Sequence, residues 1–357
     1  MRQTSMDKLG VQNSASIGNK AGGEGSATGQ VRERMMALKS LVTGAVALTV
    51  AIAGTAGAAP KKEKAADITG AALIELAAEP YIQFRQDVDE VGKQMPKNTT
   101  MMRDAHYRLA SHDQMALAGA WIAYAAMVAA DEPAFANSVA DRIRRRGGAD
   151  GFIKDIQENP GIVRNLPGSQ DAVSAVLAFA AGDAAKIKGV GDSFISEAYS
   201  MQKAAWARRE LAERGMERVD NALAFAARRG FDDTPEVRSK TTRRGVKVPN
   251  LEAHDDWATT WSDDKVQLSQ VRAGSIVTKA LVLGAHYAMD EADTEVMASF
   301  GTSARSQRCF LNAKLNLDQC IAATRTPYEE AFCLGQHALN DMSSCVGWPA
   351  AAGSAGS

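Results

Sequence analysis

The chain has 357 residues, 45% of them hydrophobic and 23% charged, which is the usage of an ordinary globular protein able to bury one or two cores and excludes disorder as the default. Aromatics are 6%, Pro numbers 10, and Ala, Met, Leu and Val carry the apolar share, so helices are expected and strands few or absent. The formal net charge is -1; residues 1–58 hold six basic and three acidic side chains, which leaves 35 against 39, or -4, without the basic excess of a dedicated nucleic-acid binder.

Residues 1–34 are rich in Gly, Ser, Asn and Gln without apolar periodicity and are expected to be disordered, either as a front extension from Met1 or as sequence upstream of a start at Met35 or Met36. Arg32 to Lys39 is basic, the run from about Ser40 to Ala58 is uncharged, and Ala56 and Ala58 supply a small-residue exit before Ala59. That layout predicts a secretory signal peptide, and so a mature protein that is periplasmic or secreted. The competing reading, a membrane anchor, is weakened by Gly44, Gly54, Gly57 and the Thr residues inside the run, so no stable membrane span is expected after the leader is cut.

The mature chain reads as an all-α, multi-helix bundle over 59–300. A helix is predicted from Asp67 to Met95, broken at Pro80, and a second from a capping box at Ser111–Gln114 to about Ala130. Met115 to Ala130 is apolar nearly all round, which marks the centre of the bundle. Further helices are predicted from Pro133 to Arg146, from Asp150 to Glu158, and from Ser169 to about Lys188. After Gly191 a long one is expected from about Phe194 to Arg229. Residues 230–262 break the periodicity; helices resume from Asp263 to about Asp290 and from Asp293 to Phe300, and a disordered tail is expected over 349–357.

All four cysteines lie near the C-terminus, at Cys309, Cys320, Cys333 and Cys345, and an even count in an exported chain reads as two disulfides. Pairing within one helix would have to close about 16–18 Å at ~1.5 Å rise per residue, against a limit of about 7 Å between Cα atoms. Thr326-Pro327-Tyr328-Glu329 is a capping box that starts a new helix, so the segment 301–348 folds as a hairpin about that turn. Cys309 with Cys345, and Cys320 with Cys333, share that midpoint; the crossed pairing does not. The predicted bridges are therefore Cys309–Cys345 and Cys320–Cys333. A zinc site from the same cysteines lacks a closely spaced pair. The segment is similar in plan to the twin-cysteine hairpins of the coiled-coil-helix family, although ten and eleven residues separate its cysteines where that family has nine. The resemblance implies a fold for this segment and no function.

The irregular stretch 230–264 is the first place to look for chemistry. His254, Asp255 and Asp256 could be metal ligands, with Trp257 and Trp261 as walls of a ligand site and His286 as a further ligand. The plainer reading makes Asp255 and Asp263 helix caps and the Trp side chains anchors. His286 with Asp290, and His337 with Asp341, are spaced as helical pairs, each read as a helix-end ion pair. His106 and His112 fall on different faces and suggest no shared ligand. Arg142 to Arg146 complements a helix C-terminus, and the basic run Arg238 to Lys247 reads as a solvated loop. No nucleotide-binding loop, nucleophile elbow or calcium loop is present, and the cysteines are committed to bridges.

These features lead to an expectation of non-catalytic binding or scaffolding in a cell envelope, with an envelope protein or polymer as partner, no nucleic acid and no cofactor. The alternative is a metal-dependent enzyme or ligand binder whose site is the 230–264 loop.

Overall fold

A computed structural model describes residues 68–229 and 265–354, without the side chains of 265–273 and 352–354. Twelve α-helices account for most of these residues and no strand occurs among them. The order is α1 (Ala71–Lys93), α2 (Thr99–Ala110), α3 (Gln114–Ala130), α4 (Pro133–Arg146), α5 (Ala149–Glu158), a 3₁₀ turn (Pro160–Asn165), α6 (Ser169–Met201), α7 (Gly215–Arg228), α8 (Lys265–Met289), α9 (Thr294–Phe300), α10 (Ala304–Ala323) and α11 (Pro327–Cys333). A π-helical segment (Leu334–Asp341) then continues into α12 (Met342–Ser354).

Helix α3 is the hub. Every residue from Ala120 to Ala129 is buried, because α1 and α8 flank the helix while α6 and α10 close its remaining sides. The Ala-rich surface lets neighbouring backbones come near, and Leu117, Trp121, Ile122 and Met127 fill the space between them. Helix α6 carries the second arm of the disulfide hairpin, α11 to α12, along its length. Phe310, Leu317, Ile321, Leu334, Leu339 and Val346 join Trp121 and Phe84 in one continuous core. Both expected bridges form, Cys309–Cys345 with 5.6 Å between Cα atoms and Cys320–Cys333 with 5.7 Å. They hold the arms of the hairpin about its Thr326 capping box.

Several local expectations are corrected. Helix α1 runs through Pro80: Ile74 and Ala78 before it, and Tyr81 and Phe84 after it, all pack inward, and that burial outweighs the backbone bond lost at the proline. Helix α2, which Asn98 caps by accepting from the Met101 N–H at 2.9 Å, was not foreseen. Ser111 ends α2 with its hydroxyl on the Arg108 carbonyl, so Asp113 caps α3 in its place.

Helix α6 passes straight through Gly189 and Gly191. Gly191 is needed because a Cβ there would run into Asn340 and lie 2.9 Å from the Gly335 carbonyl of the π segment. The long helix expected to reach Arg229 instead stops at Met201 and restarts at Gly215. The intervening residues bond to the hairpin turn, Leu211 N–H to Arg325 O at 2.8 Å and Tyr328 N–H to Ala207 O at 3.4 Å. Helix α12 runs on to Ser354, inside the stretch expected to be a disordered tail, because Val346 and Pro349 are buried.

Candidate functional site

Three acids lie where their helices point at the core: Asp87 one turn on from Phe84 in α1, Asp183 between Ala180 and Ile187 in α6, and Glu330 beside Ala331 in α11. A carboxylate in such a place must be neutralised or hydrogen-bonded. Each is met by cationic or donor groups from other helices, giving three buried ionic centres.

Asp87 is 1% exposed and draws together α1, the α2–α3 junction and the end of α7. His112 Nε2 donates to Oδ2 at 2.9 Å, Arg229 donates to both oxygens at 2.8 and 3.1 Å, and Arg108 donates to Oδ1 at 3.3 Å. The Phe84 and His112 rings meet nearly at right angles, with centroids 5.4 Å apart. Burial raises the Asp87 carboxyl, but the hydrogen bonds from His112 and Arg229 outweigh it and hold the group below the usual carboxylate range. Burial pushes His112 down more than Asp87 lifts it, so the imidazole is neutral at pH 7 and its Nε2 carries the proton given to Asp87. The Ser111 hydroxyl lies 3.3 Å from Arg229 Nη1.

Asp183 is gripped by two nitrogens of Arg85, Nε at 2.8 Å and Nη2 at 3.0 Å, and accepts from the Tyr81 hydroxyl at 2.8 Å. Arg85 also donates to the Tyr124 hydroxyl at 2.7 Å and lies over the Tyr124 and Phe179 rings at 5.0 and 5.8 Å. Burial raises the Asp183 carboxyl more than Arg85 and Tyr81 lower it, and it sits above the usual range. Burial, and then the neighbouring carboxylate, drive the Tyr81 phenol well above its ordinary value.

Glu330 lies between α2, α7 and the hairpin. His106 Nδ1 is 2.7 Å from its Oε1 and Arg218 Nε is 3.9 Å from the same oxygen, although neither contact is aligned as a hydrogen bond. Arg218 turns Nη2 to the end of α10, reaching the Ile321 carbonyl at 3.2 Å, the Thr324 carbonyl at 3.0 Å and the Thr324 hydroxyl, while Nη1 donates to the Glu213 carbonyl at 2.8 Å. A buried guanidinium thus closes the helix C-terminus and faces its dipole.

Of the residues singled out by sequence, His254, Asp255, Asp256, Trp257 and Trp261 lie outside the described residues, as does the basic run 238–247. His286 is buried on α8, with Nδ1 2.5 Å from the Glu291 carbonyl, and lines a cavity of about 190 Å³ with Gln157, Asp293, Glu295 and Ser299. Its expected partnership with Asp290 does not form. Asp290 adopts φ 56° and caps α1 instead, accepting from the Ala71 N–H at 2.8 Å. His337 and Asp341 do pair, at 2.8 Å. His106 and His112 belong to separate centres. Arg142 and Arg146 both bind Asp155 of α5, so their cluster is spent on an interhelical pair as well as on the helix end.

No group of three or more His, Cys, Asp or Glu side chains able to hold a metal ion occurs among the described residues, and none of their helices is long and apolar enough to cross a membrane. Neither this cavity nor a cleft lined by residues 210–215 and 322–325 is bordered by Asp87, Asp183 or Glu330. Sequence reasoning missed the three ionic centres. The available signal was an acid standing on the apolar stripe of an amphipathic helix. Comparison with known protein families, with curated proteins and with solved structures finds no match.

Proposed function

We propose that the chain is exported to an oxidising compartment, periplasmic or outside the cell, and there binds or scaffolds an envelope protein or polymer without catalysing a reaction. The observation that carries this reading is the use made of the buried ionisable groups. Asp87, Asp183 and Glu330, which could serve acid–base chemistry, each join helices that are distant in sequence and border neither cavity. Export is supported by the leader pattern and by the two disulfides, which persist where glutathione does not reduce them. Binding is supported by large apolar side chains left in solvent on two adjoining helices, Met216 and Leu223 on α7 and Leu311 and Leu315 on α10.

The test is photo-crosslinking from Met216 and Leu223 in intact envelopes, paired with native mass spectrometry of the purified protein. A discrete cross-linked species, lost when Leu311 and Leu315 are both changed to Glu, supports the reading. Absence of any adduct, together with a small molecule or metal that leaves the protein only on denaturation, overturns it in favour of a ligand-dependent site.

A further inference from the structure

The two arms of the disulfide hairpin do not have the same cysteine spacing. Cys309 and Cys320 are eleven residues apart on the regular helix α10, whereas Cys333 and Cys345 are twelve apart. At about 100° per residue, eleven steps end roughly 20° past three full turns, so both cysteines of α10 look the same way. Twelve α-helical steps would end about 120° past three turns. Cys345 would then point well away from the face occupied by Cys333. Both bridges nevertheless form, with near-equal Cα separations of 5.6 and 5.7 Å.

The discrepancy is removed by the π-helical segment Leu334–Asp341, which lies wholly between the two cysteines. Hydrogen bonds from i to i+5 take more residues per turn and absorb about one residue, so the interval turns as eleven α-helical residues would. The apolar residues of this arm do not by themselves require the wider turn. Leu334, Ala338 and Met342 recur every four positions, an interval that either turn accommodates, and Met342, Cys345 and Pro349 continue at three and four.

We propose that the bridges and the π segment form a redox-sensitive register lock. The outer bridge, Cys309–Cys345, holds the extra residue in the helix. An external dithiol reduces it with two electrons and two protons, giving two thiols and leaving the dithiol as its own disulfide. Cys345 is then free to leave its partner, residues 334–341 close into an α-helix, and α12 turns by about 100° relative to α11. Three contacts of this arm change together: the Ser343 hydroxyl with the Ala184 carbonyl at 3.0 Å, the Asn340 amide with Asp192 at 3.1 Å, and Trp348 beneath the Arg305 guanidinium at 4.1 Å. The device therefore reports redox state to α6. It does not depend on what the bundle binds.

Two variants test it. In a crystal structure of C309A/C345A, residues 334–341 are expected to form i to i+4 hydrogen bonds throughout. Deletion of the half-exposed Gln336 restores eleven-residue spacing, so both bridges should close, as shown by an intact mass without free thiols, and the arm should be α-helical with the bridges in place. The proposal is overturned if the π segment survives in C309A/C345A, which would assign it to the Gly191–Gly335 packing against α6. It is equally overturned if the Gln336 deletion leaves free thiols. Should C309A/C345A fail to fold, the deletion variant decides alone.

Discussion

Replacing Asp87 by Asn keeps the shape of the side chain and removes the charge on which His112, Arg108 and Arg229 converge. Removing one partner of a buried ion pair costs about 3–5 kcal/mol, because the other charge is left uncompensated. Here the Arg108 and Arg229 side chains are 33% and 17% exposed and can hydrate in part, so the lower end applies, about 3 kcal/mol. For a domain of this size that corresponds to a fall of roughly 6–12 °C in Tm. The dependence on pH is more discriminating than the size. Asp87 is held below its unfolded value of about 3.9, so its contribution is complete above about pH 4 and is lost as pH falls through the folded value. Urea unfolding of wild type and D87N from pH 7 to pH 3 should therefore show a gap that is constant at neutral pH and narrows as pH falls below about 4. A gap below 0.5 kcal/mol at pH 7, or one that persists unchanged to pH 3, would refute the argument that the charge organises this centre.

Arg218→Met should destabilise by about 3 kcal/mol, since it leaves Glu330 buried without its cation and uncaps α10, and adding Glu330→Gln should recover part of the loss in a double-mutant cycle by denaturant unfolding. Gly191→Ala, whose new methyl would meet Asn340 and the Gly335 carbonyl, should cost about 1–3 kcal/mol by thermal melting, whereas Gly182→Ala on the same helix, with open space around it, should be neutral or stabilising. C320A/C333A removes the bridge closing the short inner loop and should lose about 3 kcal/mol, measured in urea with the outer bridge intact. His112 is depressed by burial, so its neutral form favours the fold above an unfolded value of about 6.5, and H112Q should flatten the loss of stability of the wild type as pH falls below that value.

The parts of this fold that were legible in the sequence are those fixed by neighbours along the chain. The turn at Thr326–Glu329 placed the hairpin, and the midpoints of the cysteine pairs then left one connectivity. The all-round apolar run marked α3 as the central helix, and Pro133 and Gly147 bounded α4 through fixed and left-handed φ. What was not legible depends on residues far apart in sequence. The stretch 202–214 has strong helix formers and no Pro, yet hydrogen bonds to the hairpin turn hold it out of the helix, a case of tertiary structure overriding propensity. Pro80 erred in the opposite direction, because packing on both sides of it kept α1 whole. The ionic centres join positions such as Asp87 and Arg229, which no local pattern connects; only the misplaced acid on an apolar stripe hinted at them. Of the expected site, His286 alone falls within the described residues, and it borders a small cavity without Asp290 as its partner.

The central position of α3 also imposes an order on synthesis. Its residues 114–130 leave the ribosome long before α8, residues 265–289, and α10, residues 304–323, which supply much of its cover. Until they arrive, a helix built to be dry on every side has chiefly α1 and α6 to shelter it, and an apolar surface left bare in this way invites aggregation or capture by a holdase. A chain ended at residue 264 should accordingly be insoluble or chaperone-bound, and co-expression of residues 265–357 as a separate piece should return it to the soluble fraction. The sequence in which its helices appear thus sets when α3 becomes covered, whatever the final partner.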